Sequence, residues 1–242
     1  MSYYRHPPRR VYGSGIGLPP FTPMVRAIMI VAGSVWGVQF LVGPLFRITY
    51  LSAWLGLAPD KVLGGQVWLP FTYMWLHSEL MPFHLLFNLL FLWMFGGELE
   101  QLWGGRAFLR YYLVCGVGAG LFILASGLLG NPSTVTIGAS GAIYGLIMAF
   151  GMVFSERTIL FMMIFPMKGR TFAGVMFLLS FVFTLGYSGG GISHIAHLGG
   201  MVVGYLYLKR AWRVGSFFRE LRWKLRRRKF KVMPPDEDRW VN

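Results

Sequence analysis

A serine and a histidine sit near the start of two separate apolar stretches, Ser140 within Gly138-Ala139-Ser140-Gly141 and His197 within Ala196-His197-Leu198-Gly199-Gly200. A hydroxyl next to an imidazole can act as a nucleophile and its base, which is the chemistry of acyl transfer. His84 and Asn88 lie four residues apart, so on a helix they share one face and can offer hydrogen-bond donors together. His194 is a weaker candidate base than His197, because no glycines follow it at matching offsets.

The surroundings of Ser140 suit an oxyanion. Gly138 and Gly141 let a backbone or a substrate approach, and amides at a helix start favour developing negative charge. This is not the Gly-x-Ser-x-Gly elbow of α/β-hydrolases, since Ala142 takes the last position and no strand precedes it. No Asp or Glu occurs between Glu156 and Glu220, while Glu98 and Glu100 fall at the opposite end of their stretch. A carboxylate-completed triad is therefore not expected, and the chemistry reduces to a Ser140-His197 dyad. Tyr144, one turn after Ser140, can pack on the imidazole. No metal or cofactor is called for.

The elements that carry these groups follow from composition. With 55% hydrophobic and 13% charged residues and a mean hydropathy of +0.54, the chain reads as a polytopic membrane protein. Crossing about 30 Å of hydrocarbon takes about 20 apolar residues in a helix. Stretches near 24–46, 82–99, 106–129, 138–155, 171–187 and 192–210 approach that length, which predicts an all-α, six-transmembrane-helix bundle. Strands are not expected, because lipid leaves backbone groups no outside partner. Cys115, the single cysteine, reads as a small packing residue. A removable signal peptide is not expected ahead of the first stretch.

The net charge of +14 follows the loops of a membrane topology and does not call for nucleic acid. Basic residues gather before the first stretch, between the second and third, between the fourth and fifth, and after residue 208, which predicts that both termini are cytoplasmic. With that orientation the second, fourth and sixth spans begin on the outer side. His84, Asn88, Ser140, His194 and His197 then share one outer layer, with His197 on the order of 10 Å below the surface. Polar groups at such depth mark function more than packing. Two pairs of small residues, Gly141 with Gly145 and Gly200 with Gly204, predict close contact of spans four and six.

The chain divides on this reading into a cytoplasmic segment 1–23, a membrane domain 24–210 and a basic amphipathic tail 211–242. The tail suits the surface of an anionic lipid leaflet. A solute channel would need polar groups through the whole depth, and the polar layer here stops in the outer half.

Together these elements resemble the rhomboid intramembrane serine proteases. The resemblance covers roughly residues 24–210 and rests on Gly138-Ala139-Ser140-Gly141 with Tyr144, on Ala196-His197-Leu198-Gly199-Gly200 with Gly204, and on His84-Leu85-Leu86-Phe87-Asn88. It implies Ser140 as nucleophile, His197 as general base and then acid, and Tyr144 as support for His197. It also implies an oxyanion hole of His84, Asn88 and the Ser140 amide, and transmembrane proteins as substrates. The segment 47–81 resembles the family's first outer loop, which lies partly in the membrane and carries a Trp-Arg pair, here replaced by Trp68-Leu69. His77 takes at most a structural role. A compact six-span design points to a bacterial plasma membrane. A non-catalytic relative, binding or extracting membrane proteins, is the alternative, but it has no need of both Ser140 and His197.

Overall fold

The computed structural model describes residues 19–46, 50–130, 132–161, 165–186 and 194–209. The expected segment 1–23 falls largely outside them, and the basic tail 211–242 entirely so. The chain divides into two units, Met1–Tyr205 and Leu206–Asn242, and every candidate site residue belongs to the first.

The described residues are mostly helical. The long helices are α1 (Pro23–Phe46), α5 (Pro82–Trp103), α6 (Gly105–Gly127), α7 (Ser140–Val153) and α8 (Gly169–Gly186), with a last helix α9 over residues 194–209. Three short helices, α2 (Tyr50–Leu55), α3 (Pro59–Leu63) and α4 (Leu69–Thr72), lie between α1 and α5. Three helical stretches, Pro23–Gly43, Pro82–Trp103 and Gly105–Gly127, are long and apolar enough to cross a membrane, while α7 and α8 are apolar but shorter.

Helix α5 runs four residues further than its apolar stretch predicts. Glu98 and Glu100 do not break a helix; Gly104 does, at φ +81° and ψ 152°, a conformation open to glycine alone. The extension serves the neighbouring helix. Glu100 accepts hydrogen bonds from the Met24 and Val25 amides at 2.9 and 2.8 Å and from the Thr22 hydroxyl. Those amides open α1 and have no intrahelical acceptor, so a carboxylate from another helix caps them. Glu98 pairs with Arg157 beyond the far end of α7.

The expectation that strands are absent is corrected between α7 and α8. Strands β1 (Thr158–Phe161) and β2 (Phe165–Lys168) pair antiparallel, with Thr158 opposite Lys168 and Phe161 opposite Phe165. The rule against strands holds for backbone facing lipid, whereas this pair joins α7 to α8 and has charged groups at its base. There Glu156 binds Lys168 and Arg170, and the hydrogen bond from Lys168 holds its carboxyl below the usual carboxylate range.

Among the described residues the first loop is anchored by an apolar side chain, a backbone bridge and a tyrosine. Leu69 is fully buried, while Trp68 is 47% exposed. Leu57 and Thr136 exchange both backbone hydrogen bonds, at 2.9 and 2.8 Å. Pro59 lies against Gly127, where a Cβ would stand 2.2 Å from the proline ring. Tyr73 fastens the loop twice: its hydroxyl donates to the Gly116 carbonyl at 2.7 Å, and its own carbonyl accepts the Gly138 amide at 2.9 Å. Through Gly138 the loop holds the turn that leads into α7.

Candidate active site

Helix α7 begins at Ser140, with Ala139 as its N-cap residue. The first helical bond runs from the Ile143 amide to the Ala139 carbonyl, so the amides of Ser140, Gly141 and Ala142 have no intrahelical acceptor. They form the positive end of the helix, and the Ser140 hydroxyl sits among them. Gly138, at φ +120°, makes the turn that delivers the chain to this point.

Ser140 Oγ and His197 Nε2 are 2.9 Å apart. His197 is 7% exposed, and its Nδ1 has no hydrogen-bond partner among the described residues. The structure therefore brings together the two groups singled out from sequence. Tyr144 lies flat on the imidazole, ring centres 3.9 Å apart and planes 5° from parallel. His194 meets His197 edge to face at 5.9 Å and stacks on Phe183 of α8 at 5.0 Å, outside the serine contact.

The expected glycine seam holds α7 and α9 at this distance. A Cβ on Gly200 would stand 1.8 Å from the Gly141 carbonyl oxygen, and one on Gly204 would lie 3.3 Å from the Gly145 Cα. Helix α6 closes the seam from the side. Tyr111 donates to the Gly145 carbonyl at 2.8 Å, and buried Cys115 lies against both Gly145 and Gly204.

His84 comes to the opposite side of the Ser140 turn. A Cβ on Gly138 would stand 2.7 Å from His84 Nε2, so the missing side chain makes room for the imidazole. The Ser78 amide donates to His84 Nδ1 at a long 3.4 Å, which leaves the proton on Nε2, the nitrogen facing Gly138. Asn88 is buried, but its amide donates to the His84 carbonyl one turn back at 2.6 Å, so one of its two N–H groups is engaged within α5.

Sequence reasoning passed over most of the groups that hold this arrangement. His77, for which it allowed only a structural role, is fully buried and packs edge to face on His84 at 5.2 Å. Gln39 of α1 clamps the His77 backbone from both ends of its amide, each at 3.0 Å. A glutamine inside an apolar first span was the available signal. Ser180 of α8, a hydroxyl in an apolar stretch, is likewise buried and donates to the Met176 carbonyl one turn back at 2.8 Å. Among the described residues no three His, Cys, Asp or Glu side chains are grouped to hold a metal ion.

A bundle of apolar helices with a serine at one helix start and a histidine from another helix upon it is the arrangement of an integral membrane protein with a buried polar site. The rhomboid domain matches residues 64–213, and the chain belongs to the rhomboid family. It is 34% identical over 136 residues to Rhomboid protein 1, mitochondrial, of Saccharomyces cerevisiae, covering 54% of this chain and 38% of that one. It is 34% identical over 144 residues to RHOMBOID-like protein 1 of Arabidopsis thaliana, covering 58% and 33%. Rhomboid protease GlpG of Yersinia pseudotuberculosis is 24% identical over 186 residues, covering 76% of this chain and 61% of its own length. The chain thus spans about a third of the length of the first two relatives.

Proposed function

We propose that the protein is an intramembrane serine endopeptidase that cleaves transmembrane segments of other membrane proteins through Ser140 and His197. The 2.9 Å contact between Ser140 Oγ and His197 Nε2, at the start of a helix of 14 residues, carries the reading. Such a helix is about 21 Å long against a hydrocarbon thickness of about 30 Å, so with its far end at one surface its first residue stands well inside the other.

In this mechanism His197 takes the Ser140 proton and the alkoxide attacks a peptide carbonyl, forming the tetrahedral intermediate. The Ser140 amide, His84 Nε2–H and the free N–H of Asn88 receive the oxyanion. One such donor contributes about 3 to 4 kcal/mol. His197 then protonates the leaving amine, and water releases the acyl group. Tyr144 keeps the imidazole in plane throughout. Gly138, Gly141, Gly200 and Gly204 supply the close approach that a side chain at any of them would prevent.

Six crossings by α1, α5, α6, α7, α8 and α9 fit this mechanism, with both termini cytoplasmic and the site open to the outer side. We place the protein in a bacterial plasma membrane, with the basic residues beyond 208 on its anionic inner leaflet. A substrate helix must unwind locally to present a carbonyl, so small or helix-breaking residues near the scissile bond favour cleavage.

The test is incubation of the purified protein with a panel of single-span membrane proteins, with Ser140→Ala as control. Cleavage by the wild type alone supports the proposal. Substrate binding that is unchanged in Ser140→Ala, with no cleavage by either protein, supports the non-catalytic alternative.

A further inference from the structure

The strand pair between α7 and α8 keeps apolar side chains at its surface. Phe165 is 58% exposed and Pro166 is exposed too, while Ile159, Leu160 and Met167 are half-buried. Charged groups gather at the other end of the pair: Glu156 binds Lys168 and Arg170, and Arg157 pairs with Glu98 of α5. That end is fastened to the end of α7. The Gly169 amide donates to the Arg157 carbonyl at 2.8 Å and the Arg170 amide to the Ser155 carbonyl at 3.1 Å. A Cβ on Gly169 would stand 2.7 Å from the Phe154 carbonyl oxygen.

Two opposing demands fix the surroundings of such an element. A two-stranded sheet that exposes apolar side chains is marginal in water. It is no better placed in hydrocarbon, because among the described residues each strand has an outer edge with no partner strand, and lipid tails offer those amides and carbonyls nothing. The boundary between headgroups and acyl chains meets both demands, and the pair is within reach of it, since it joins the ends of two apolar helices. The charge of this end fits as well. The Glu98–Arg157 pair and the bonds from the start of α1 to Glu100 gather Arg26, Arg106, Arg110, Arg157, Lys168 and Arg170 at one end of the bundle, where they outnumber Glu98, Glu100 and Glu156. An apolar patch among excess cations is complementary to a leaflet of anionic lipid.

We infer that the β1–β2 pair is an interfacial anchor, with Ile159, Phe165 and Pro166 bedded at the headgroup boundary of an anionic leaflet and Lys168 and Arg170 on lipid phosphates. While bound to Glu156, the Lys168 and Arg170 side chains stay 50% and 59% exposed, which leaves donors for a phosphate. The consequence reaches the dyad. Because the base of the pair is hydrogen-bonded to the end of α7, the anchor sets the depth of that helix, and Ser140 is its first residue. This surface is separate in sequence from the basic residues beyond 208, and the inference rests on the membrane fold, not on the hydrolase reading.

Depth-dependent quenching tests it on the full-length protein. Phe165→Cys is labelled with an NBD maleimide in vesicles of phosphatidylcholine and phosphatidylglycerol, with the unsubstituted protein as labelling control because Cys115 is buried. A nitroxide near the headgroup end of the lipid chain is expected to quench the label by about half or more, and aqueous iodide by about a tenth or less, as for a group just below the headgroups. Lys168→Gln with Arg170→Gln lowers the lipid quenching about twofold, and vesicles of phosphatidylcholine alone do the same. Pro166→Cys supplies the reading should Phe165→Cys fail to fold. Strong quenching by iodide puts the strands in water and overturns the inference. Stronger quenching by a nitroxide near the bilayer centre puts them in hydrocarbon and overturns it too. Protection from both quenchers means that protein covers the strands, from this copy or a second, and equally overturns it. Lipid quenching that is the same with and without phosphatidylglycerol overturns the assignment to anionic lipid. The Ser140→Ala protein is expected to give unchanged signals, so a failure of the hydrolase reading is told apart from a failure of the anchor.

Discussion

Gly200 of α9 lies against the carbonyl of Gly141 in α7 so closely that a Cβ at position 200 would stand 1.8 Å from that oxygen. Both residues are next to the groups that matter: Gly141 follows Ser140, and Gly200 lies three residues beyond His197. The backbone contact is thus what sets the distance between hydroxyl and imidazole.

Gly200→Ala accordingly forces the two helices apart. Over-packing of this kind costs on the order of 1 to 3 kcal/mol of stability, and a displacement near 1 Å at the reacting groups costs about a hundredfold in rate. Thermal denaturation and cleavage measured on the same preparation check both effects. The drop in rate is expected to persist well below the melting temperature, where the variant is folded.

Gly138→Ala acts from the other side of the site. The residue has φ +120°, which a side chain tolerates poorly at a cost of about 1 to 3 kcal/mol, and the new Cβ would press on His84 Nε2. The expected result is a loss of kcat larger than that of His84→Ala, since the substitution disturbs both the imidazole and the turn that places Ser140. Equal losses in the two variants would show that the turn itself tolerates alanine.

Glu100→Ala removes the cap from α1 and leaves the site untouched. Three donors lose their carboxylate, and the expected loss of stability is about 2 to 3 kcal/mol, more than for an ordinary exposed cap because the group is buried. The melting temperature falls, while kcat measured below it stays within about twofold of wild type. A large drop in kcat at a temperature where the variant is folded contradicts this assignment.

The order of apolar stretches, the glycine seam and the pairing of Ser140 with His197 were legible in the sequence because each leaves a local signature: length of the apolar run, small residues four apart, a polar group at a helix start. Tyr144 on His197 was legible for the same reason, being one turn from Ser140. What was not legible arises from contacts distant in the chain. Glu100 looked like an ordinary charge at a helix end, and only the arrival of residues 22–25 beside it makes it a cap. Tyr73 joins the first loop to both α6 and the Gly138 turn, through partners 43 and 65 residues away that no local spacing announces. The pair of β1 and β2 was not legible because its apolar residues extend the surrounding apolar sequence, and the rule against strands belongs to backbone in lipid. Asn88 shared a helical face with His84 as its spacing indicates, and the bond it makes to the His84 carbonyl is a consequence of the same spacing.

The most direct test of the central claim is labelling of the purified protein with a fluorophosphonate, followed by peptide mapping of the adduct. The account predicts a single modified residue, Ser140, with labelling abolished by His197→Ala while the variant remains folded. Labelling of another serine, or labelling of Ser140 at an undiminished rate in His197→Ala, would contradict it.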